Sequence, residues 1–176
     1  MADRPFNVLF LCTGNSARSV LAESILNRLG DGRFVAFSAG SQPTGRVNPF
    51  ALELLEREGY PTANLRSKSW DAFSGPDAPT IDFIFTVCDS AASEVCPIWP
   101  GHPTTAHWGI ADPAAVDGSD DDKRQAFLDA TQRLSRRIER FLALPLNTLD
   151  AETLRARLRA IGDIDDVAEE TGGAAA

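Results

Sequence analysis

Asn7-Val-Leu-Phe-Leu-Cys12-Thr-Gly-Asn-Ser-Ala-Arg18-Ser-Val-Leu-Ala-Glu23 joins an apolar run to a cluster of turn formers and then to a helical periodicity. After Pro5, the stretch from Asn7 to Cys12 is almost continuously apolar, the pattern of a strand buried on both faces. Thr13-Gly-Asn-Ser16 reads as a turn. From Ala17 to Leu29 the apolar residues Val20, Leu21, Ile25 and Leu29 recur at helical spacing, and Gly30 is a natural stop. The segment predicts a strand, a tight loop and a helix in direct succession.

Outward from there the alternation repeats. Arg33 to Ala39 reads as a second strand, Asn48 to Glu58 as a helix ending at Gly59, and Trp70 to Phe73 as a short helical turn. Ile81 to Cys88 is a third strand, and Asp89 can cap a short helix through about Val95. Thr105 to Ile110 is a fourth strand. Asp120 to Leu144 is a long helix with Phe127, Thr131, Leu134, Ile138 and Phe141 on one face and the acids Asp120 to Asp122 at its start. A last helix runs to Ile161 with Arg155, Arg157 and Arg159 outward. The expected organisation is a catalytic domain over 1–145, a C-terminal helix over 146–161 and a flexible tail over 162–176. Strands alternating with helices imply an α/β fold, a mainly parallel sheet flanked by helices, whose ligands sit beyond the carboxyl ends of the strands. Cys12, Cys88 and the loop carrying Asp112 all fall at that edge.

Composition narrows the function. With 17 Lys and Arg against 25 Asp and Glu, the net charge of −8 argues against nucleic-acid binding and means a small anion must be captured by local design. The N-terminal apolar run is too short for a membrane span, so a cytoplasmic protein is expected. Three cysteines, Cys12, Cys88 and Cys96, do not form a disulfide framework in a reducing compartment. Zinc is disfavoured because no close Cys-x2-Cys pair exists and only His102 and His107 could complete a site.

The loop from Cys12 to Arg18 carries the chemistry. Gly14 and Asn15 can adopt positive φ, and successive N–H groups of Thr13, Gly14, Asn15, Ser16 and Ala17 can form an anion nest at a helix N-terminus. Arg18 adds a planar fork for a tetrahedral oxyanion. The same field is expected to lower the Cys12 pKa from about 8.5 toward ~3.5–7.5. Ser19, and secondarily Ser16, can donate to the thiolate. A nucleotide-binding P-loop is excluded, since no Gly-Lys-Ser/Thr follows the turn.

Cys12-Thr-Gly-Asn-Ser-Ala-Arg-Ser19, with Leu21-Ala-Glu23 after it, resembles the active-site loop of the low-molecular-weight protein tyrosine phosphatase superfamily, and His107-Trp-Gly-Ile-Ala-Asp-Pro113 resembles its late Asp-Pro loop. The resemblance spans about Asn7 to Pro145 and implies a four-stranded parallel sheet flanked by helices. Two subgroups share the loop. Phosphatases carry aromatics after Asp-Pro and usually a second cysteine before the arginine; here those positions are Ala114-Ala115 and Ala17. Thr86-Val-Cys88-Asp-Ser-Ala-Ala-Ser-Glu-Val-Cys96-Pro instead resembles the redox segment of the thiol-dependent arsenate reductases.

That likeness implies arsenate as substrate, with phosphate or sulfate as mimics, Cys12 as nucleophile, Asp112 as general acid, and a disulfide passed from Cys12–Cys88 to Cys88–Cys96. It also implies an external reductant, thioredoxin or glutathione with glutaredoxin. Some members bind potassium through residues matching Asn15, Glu23 and Ser38. In a helix, Cys88 and Cys96 would lie about 12 Å apart at 1.5 Å per residue, too far to bond without unwinding. The bland readings are a buried Cys88, a loop thiol Cys96 and an Asp112 that only starts a turn. Phosphomonoester hydrolysis through the same Cys12, Arg18 and Asp112 is the alternative activity, and a silent oxyanion-binding module is a third reading. Trp70, Trp99 and Trp108 are read either as walls of the site or as core.

Overall fold

The structure, a computed structural model, describes residues 4–88, 99 and 102–164. In chain order its elements are β1 (Phe6–Leu11), α1 (Arg18–Leu29), β2 (Phe34–Ala39), α2 (Pro49–Arg57), a 3-10 turn (Trp70–Phe73), β3 (Phe83–Thr86), β4 (Thr104–His107), a second 3-10 turn (Pro113–Ala115), α3 (Asp120–Leu142) and α4 (Ala151–Gly162). The four strands form one parallel sheet in the order β2-β1-β3-β4. The chain moves from β1 out to β2 and then back across β1 to β3. The strand order therefore reverses at the carboxyl end of β1, which is where open α/β sheets open a crevice. Leu11 pairs with Ala39 on one side and Thr86 on the other, so Cys12 leaves the sheet at that point.

Val8, Leu9, Phe10 and Leu11 are essentially fully buried, which is why the run is apolar without alternation. Each contributes about 1.5–3 kcal/mol of burial energy. The larger core packs α1, α2, α3 and α4 residues against Val8, Phe10, Phe83 and Phe85, and a smaller cluster of Leu9, Leu11, Ala39, Phe73, Ile81, Ile84 and Trp99 covers the other face. Trp108 belongs wholly to the first core: it is fully buried, its ring stacks on Phe85 at 3.7 Å, and its Nε1 donates to the Leu158 carbonyl at 2.9 Å. It does not wall the site. Trp70 and Trp99 meet edge to face at 6.5 Å in the second cluster.

The strand and helix expectations hold with shifted ends. The third and fourth strands are shorter than the apolar runs that announced them, and Thr131 is only half-buried on α3 while Phe127, Leu134, Ile138 and Phe141 form its inner face. Arg155, Arg157 and Arg159 are exposed on α4, which packs Leu158 and Ile161 inward. Gly162 lies so close to the His107 carbonyl that no side chain would fit there. The helix expected from Asp89 to Val95 lies outside the described residues.

Candidate functional site

The loop between β1 and α1 is held from behind by its own carbonyls. Thr13 O accepts from Gln42 N at 3.0 Å, Gly14 O from Thr44 N at 3.0 Å and Ser67 Oγ at 3.1 Å, and Ser16 O from Asn48 N at 2.8 Å. Gly40 presses so tightly on the Thr13 and Cys12 carbonyls that a Cβ would collide with both. With the carbonyls turned outward, the amides of Asn15, Ser16, Ala17 and Arg18 have no protein acceptor among the described residues. The N-terminus of α1 repeats the pattern: Ala17 gives no side-chain cap and the first turn has no acid. These are the conditions for an anion nest.

Asn15 takes φ 45°, the left-handed conformation expected of it; Gly14 does not share it. The Asn15 side chain is fully buried and doubly tied: its Oδ1 accepts from Lys68 N at 2.8 Å and its Nδ2 donates to Ser19 Oγ at 2.8 Å. Ser19 accepts that bond and keeps its own hydroxyl proton to give; no hydrogen bond from it to Cys12 is formed among the described contacts.

Arg18 is oriented by the Asp-Pro loop. Its Nη1 donates to Ile110 O at 3.0 Å and its Nη2 lies 3.6 Å from Asp112 Oδ2, while its buried Nε has no partner. An unpaired buried guanidinium N–H is costly unless a ligand takes it. Asp112 does two things at once: Oδ1 accepts from Ala114 N at 2.9 Å, starting the 3-10 turn, and Oδ2 faces Arg18. Asp112 thus starts the turn and also stands against Arg18 of the loop.

Cys12 and Cys88 are both buried. The Cys88 sulfur accepts from Thr13 N at 3.3 Å, so this amide, expected to face the anion, serves the second thiol instead. Cys88 is the neighbour that acts most strongly on the Cys12 thiol. That interaction is the largest reason the Cys12 thiol is pushed above its ordinary value; burial adds to it, the Arg18 charge opposes it, negative charge on Cys88 raises it further, and the Gly14 N–H opposes. The expected depression of Cys12 is therefore corrected. Arg18 and Gly14 act in the expected direction, but two adjacent sulfurs resist carrying two negative charges, and the rise belongs to the second proton of the pair. Cys96 lies outside the described residues.

Beneath the loop, Ser38 Oγ donates to Glu23 Oε1 at 2.7 Å, and the Lys68 ammonium stands 3.8 Å from that same oxygen and donates to Arg66 O at 3.1 Å. Burial raises the Glu23 carboxyl and lowers the Lys68 amine, each opposed by the charge of the other. Asn15, Glu23 and Ser38 do come together, but they do not fit a potassium ion. A hard cation needs free oxygen ligands, whereas here the Asn15 oxygen is spent on Lys68 N and Glu23 is already paired with Ser38 and an ammonium. Lys68, Gly40 and the Ile110 carbonyl escaped the sequence reading. Only Gly40, a glycine directly after a strand, carried a local signal.

Taken together, this is an α/β protein with a cysteine-bearing loop, its carbonyls turned outward, at the reversal point of a parallel sheet. The family model for low molecular weight phosphotyrosine protein phosphatase matches residues 7–155, and the chain belongs to that family. It is 35% identical over 135 residues to the arsenate reductase of Bacillus licheniformis, covering 76% of this chain and 93% of that one. The arsenate reductase of Bacillus subtilis is 33% identical over the same shares. The solved structure of an arsenate reductase from Archaeoglobus fulgidus is 29% identical, with a TM-score of 0.56 over 75% of this chain and 98% of that one. No helix among the described residues is long and apolar enough to cross a membrane.

Proposed function

We propose that this protein reduces arsenate to arsenite through a thiol–disulfide cascade. The supporting observation is a second buried thiol against the loop: the Cys88 sulfur accepts the N–H of Thr13, the residue next to Cys12. Hydrolysis of a phosphoester does not require such a neighbour, whereas a disulfide step does. The turn after Asp112 also offers Ala114 and Ala115 where an aromatic substrate ring would need a wall.

Arsenate enters the cradle and accepts from the amides of Asn15 to Arg18 and from Arg18 Nε. The Cys12 thiolate attacks arsenic, and Asp112 protonates the departing oxygen, which leaves as water. Ser19 steadies the thiolate. The Cys88 thiolate then attacks the Cys12 sulfur; the sulfur–arsenic bond breaks, arsenic keeps the electron pair and leaves as arsenite, and a Cys12–Cys88 disulfide remains. Cys96 attacks Cys88, freeing Cys12, and the Cys88–Cys96 disulfide is reduced by an external dithiol, thioredoxin or glutathione with glutaredoxin. A cytoplasmic setting supplies such reductants. No step is assigned to a metal ion. Because the first attack also suits phosphate esters, slow phosphomonoester hydrolysis accompanies the main activity.

Arsenate turnover with the thioredoxin and glutaredoxin systems, run separately, tests the reading. The Cys88→Ser variant is expected to lose multiple turnover while still binding sulfate. Undiminished steady-state reduction by that variant would sink the cascade.

A further inference from the structure

Asn15, Glu23 and Ser38, the residues that the family likeness associates with potassium, are linked through Lys68: Glu23 faces its ammonium, Ser38 bonds Glu23, and Asn15 holds its backbone N–H. We propose that the Lys68 ammonium stands in for a monovalent metal beneath the oxyanion loop and makes the geometry of the cradle independent of potassium. The inference rests on reading residues 13–18 as the anion cradle.

The geometry is a continuous set of contacts. Lys68 Nζ pairs with Glu23 Oε1 at 3.8 Å and is fixed by the Arg66 carbonyl at 3.1 Å. Glu23 in turn receives Ser38 Oγ at 2.7 Å, tying the helix after the cradle to β2. The backbone N–H of Lys68 holds Asn15 Oδ1 at 2.8 Å, and Asn15 Nδ2 reaches Ser19 Oγ at 2.8 Å. One residue therefore neutralises the buried carboxylate with its side chain and fastens the strained, left-handed Asn15 with its backbone. A buried carboxylate without a counter-charge is strongly disfavoured, and the Lys68 ammonium supplies that charge. The side chains of Lys68 and Glu23 are only 22% and 13% exposed, so solvent does little of this work. Lys68 is a positioning residue, acting on the reaction through Asn15 and Ser19. Removing its ammonium frees the Glu23 carboxylate and the Arg66 carbonyl, oxygen donors of the kind a hard cation takes.

The test uses the full chain and sulfate as the anion probe, read as protection of Cys12 from iodoacetamide, together with Tm, in potassium and in choline chloride at equal ionic strength. The wild type is expected to show the same Tm and sulfate affinity in both salts. Lys68→Met, which keeps the chain length and removes the charge, should bind sulfate roughly tenfold more weakly in choline. Potassium should restore that affinity saturably, with Tm rising alongside. Lys68→Arg should stay close to the wild type. The proposal is overturned if potassium saturably strengthens the wild type, if Lys68→Met matches the wild type in choline, or if that variant stays weak at every potassium concentration. Sulfate protection does not depend on arsenate chemistry, so an inactive but sulfate-binding wild type would remove the reductase reading and leave this one standing.

Discussion

At the start of α3, Ser119 accepts from Asp122 N at 3.1 Å, Asp122 reaches back to Ser119 N at 3.1 Å, and Asp120, Asp121 and Asp122 fill the first turn. At the start of α1 there is no side-chain cap, no acid in the first turn, and Ala17 where the cap would be. The dipole and the orphan amides are the same at both ends. In α3 the chain satisfies them with its own carboxylates, and the helix end is purely structural. In α1 they are left without a protein acceptor among the described residues, beside a thiol, and that omission is what the proposed site rests on. A missing cap beside a nucleophile is thus more informative than a present one, because folding alone favours filling it.

The difference can be broken in order of size. Asp112→Asn keeps the Ala114 cap but loses the proton; arsenate kcat/KM should fall about 10²–10⁴-fold, measured by coupled reductant consumption with Tm unchanged. Ala17→Asp makes α1 resemble α3, placing a carboxylate where the anion belongs. Sulfate and arsenate affinity should fall on the order of a hundredfold, the scale of a like-charge clash, and because Ala17 is buried the Tm should fall as well; binding titrations and thermal melts check both.

Cys88→Ser sharpens the role of the neighbouring thiol. Its interaction with Cys12 is the largest cause of the upward shift, and removing it leaves Arg18 and the Gly14 N–H pulling down. The pH midpoint of Cys12 alkylation should therefore move to lower pH, read from iodoacetamide rates. The smallest effect belongs to α3: Ser119→Ala should cost about 1 kcal/mol, seen as a Tm drop of about 2–4 °C, and leave arsenate kinetics untouched.

Much of this was legible along the chain because it is local. The strand, turn and helix around Cys12 lie within consecutive residues, so an apolar run, turn formers and a 3.6-residue period announce them without any distant partner. The edge on which Cys12, Cys88 and Asp112 gather also followed from alternation, since parallel strands share one carboxyl end. β3 and β4 are shorter than the apolar runs because buried apolar residues continue past the last paired residue of each strand, as Val87, Cys88 and Trp108 do.

The sequence by itself determined the order of elements, the Cys12–Arg18 cradle and its bare helix end, all set by residues adjacent in the chain. Only the tertiary structure decided that Cys88 sits against Thr13 and lifts the Cys12 thiol, that Asp112 and Ile110 aim Arg18, and that Lys68 occupies the place beneath Asn15. Electrostatic sign and strength depend on distance through space, and partners 53 to 94 residues apart acquire a distance only when sheet register and packing bring them together.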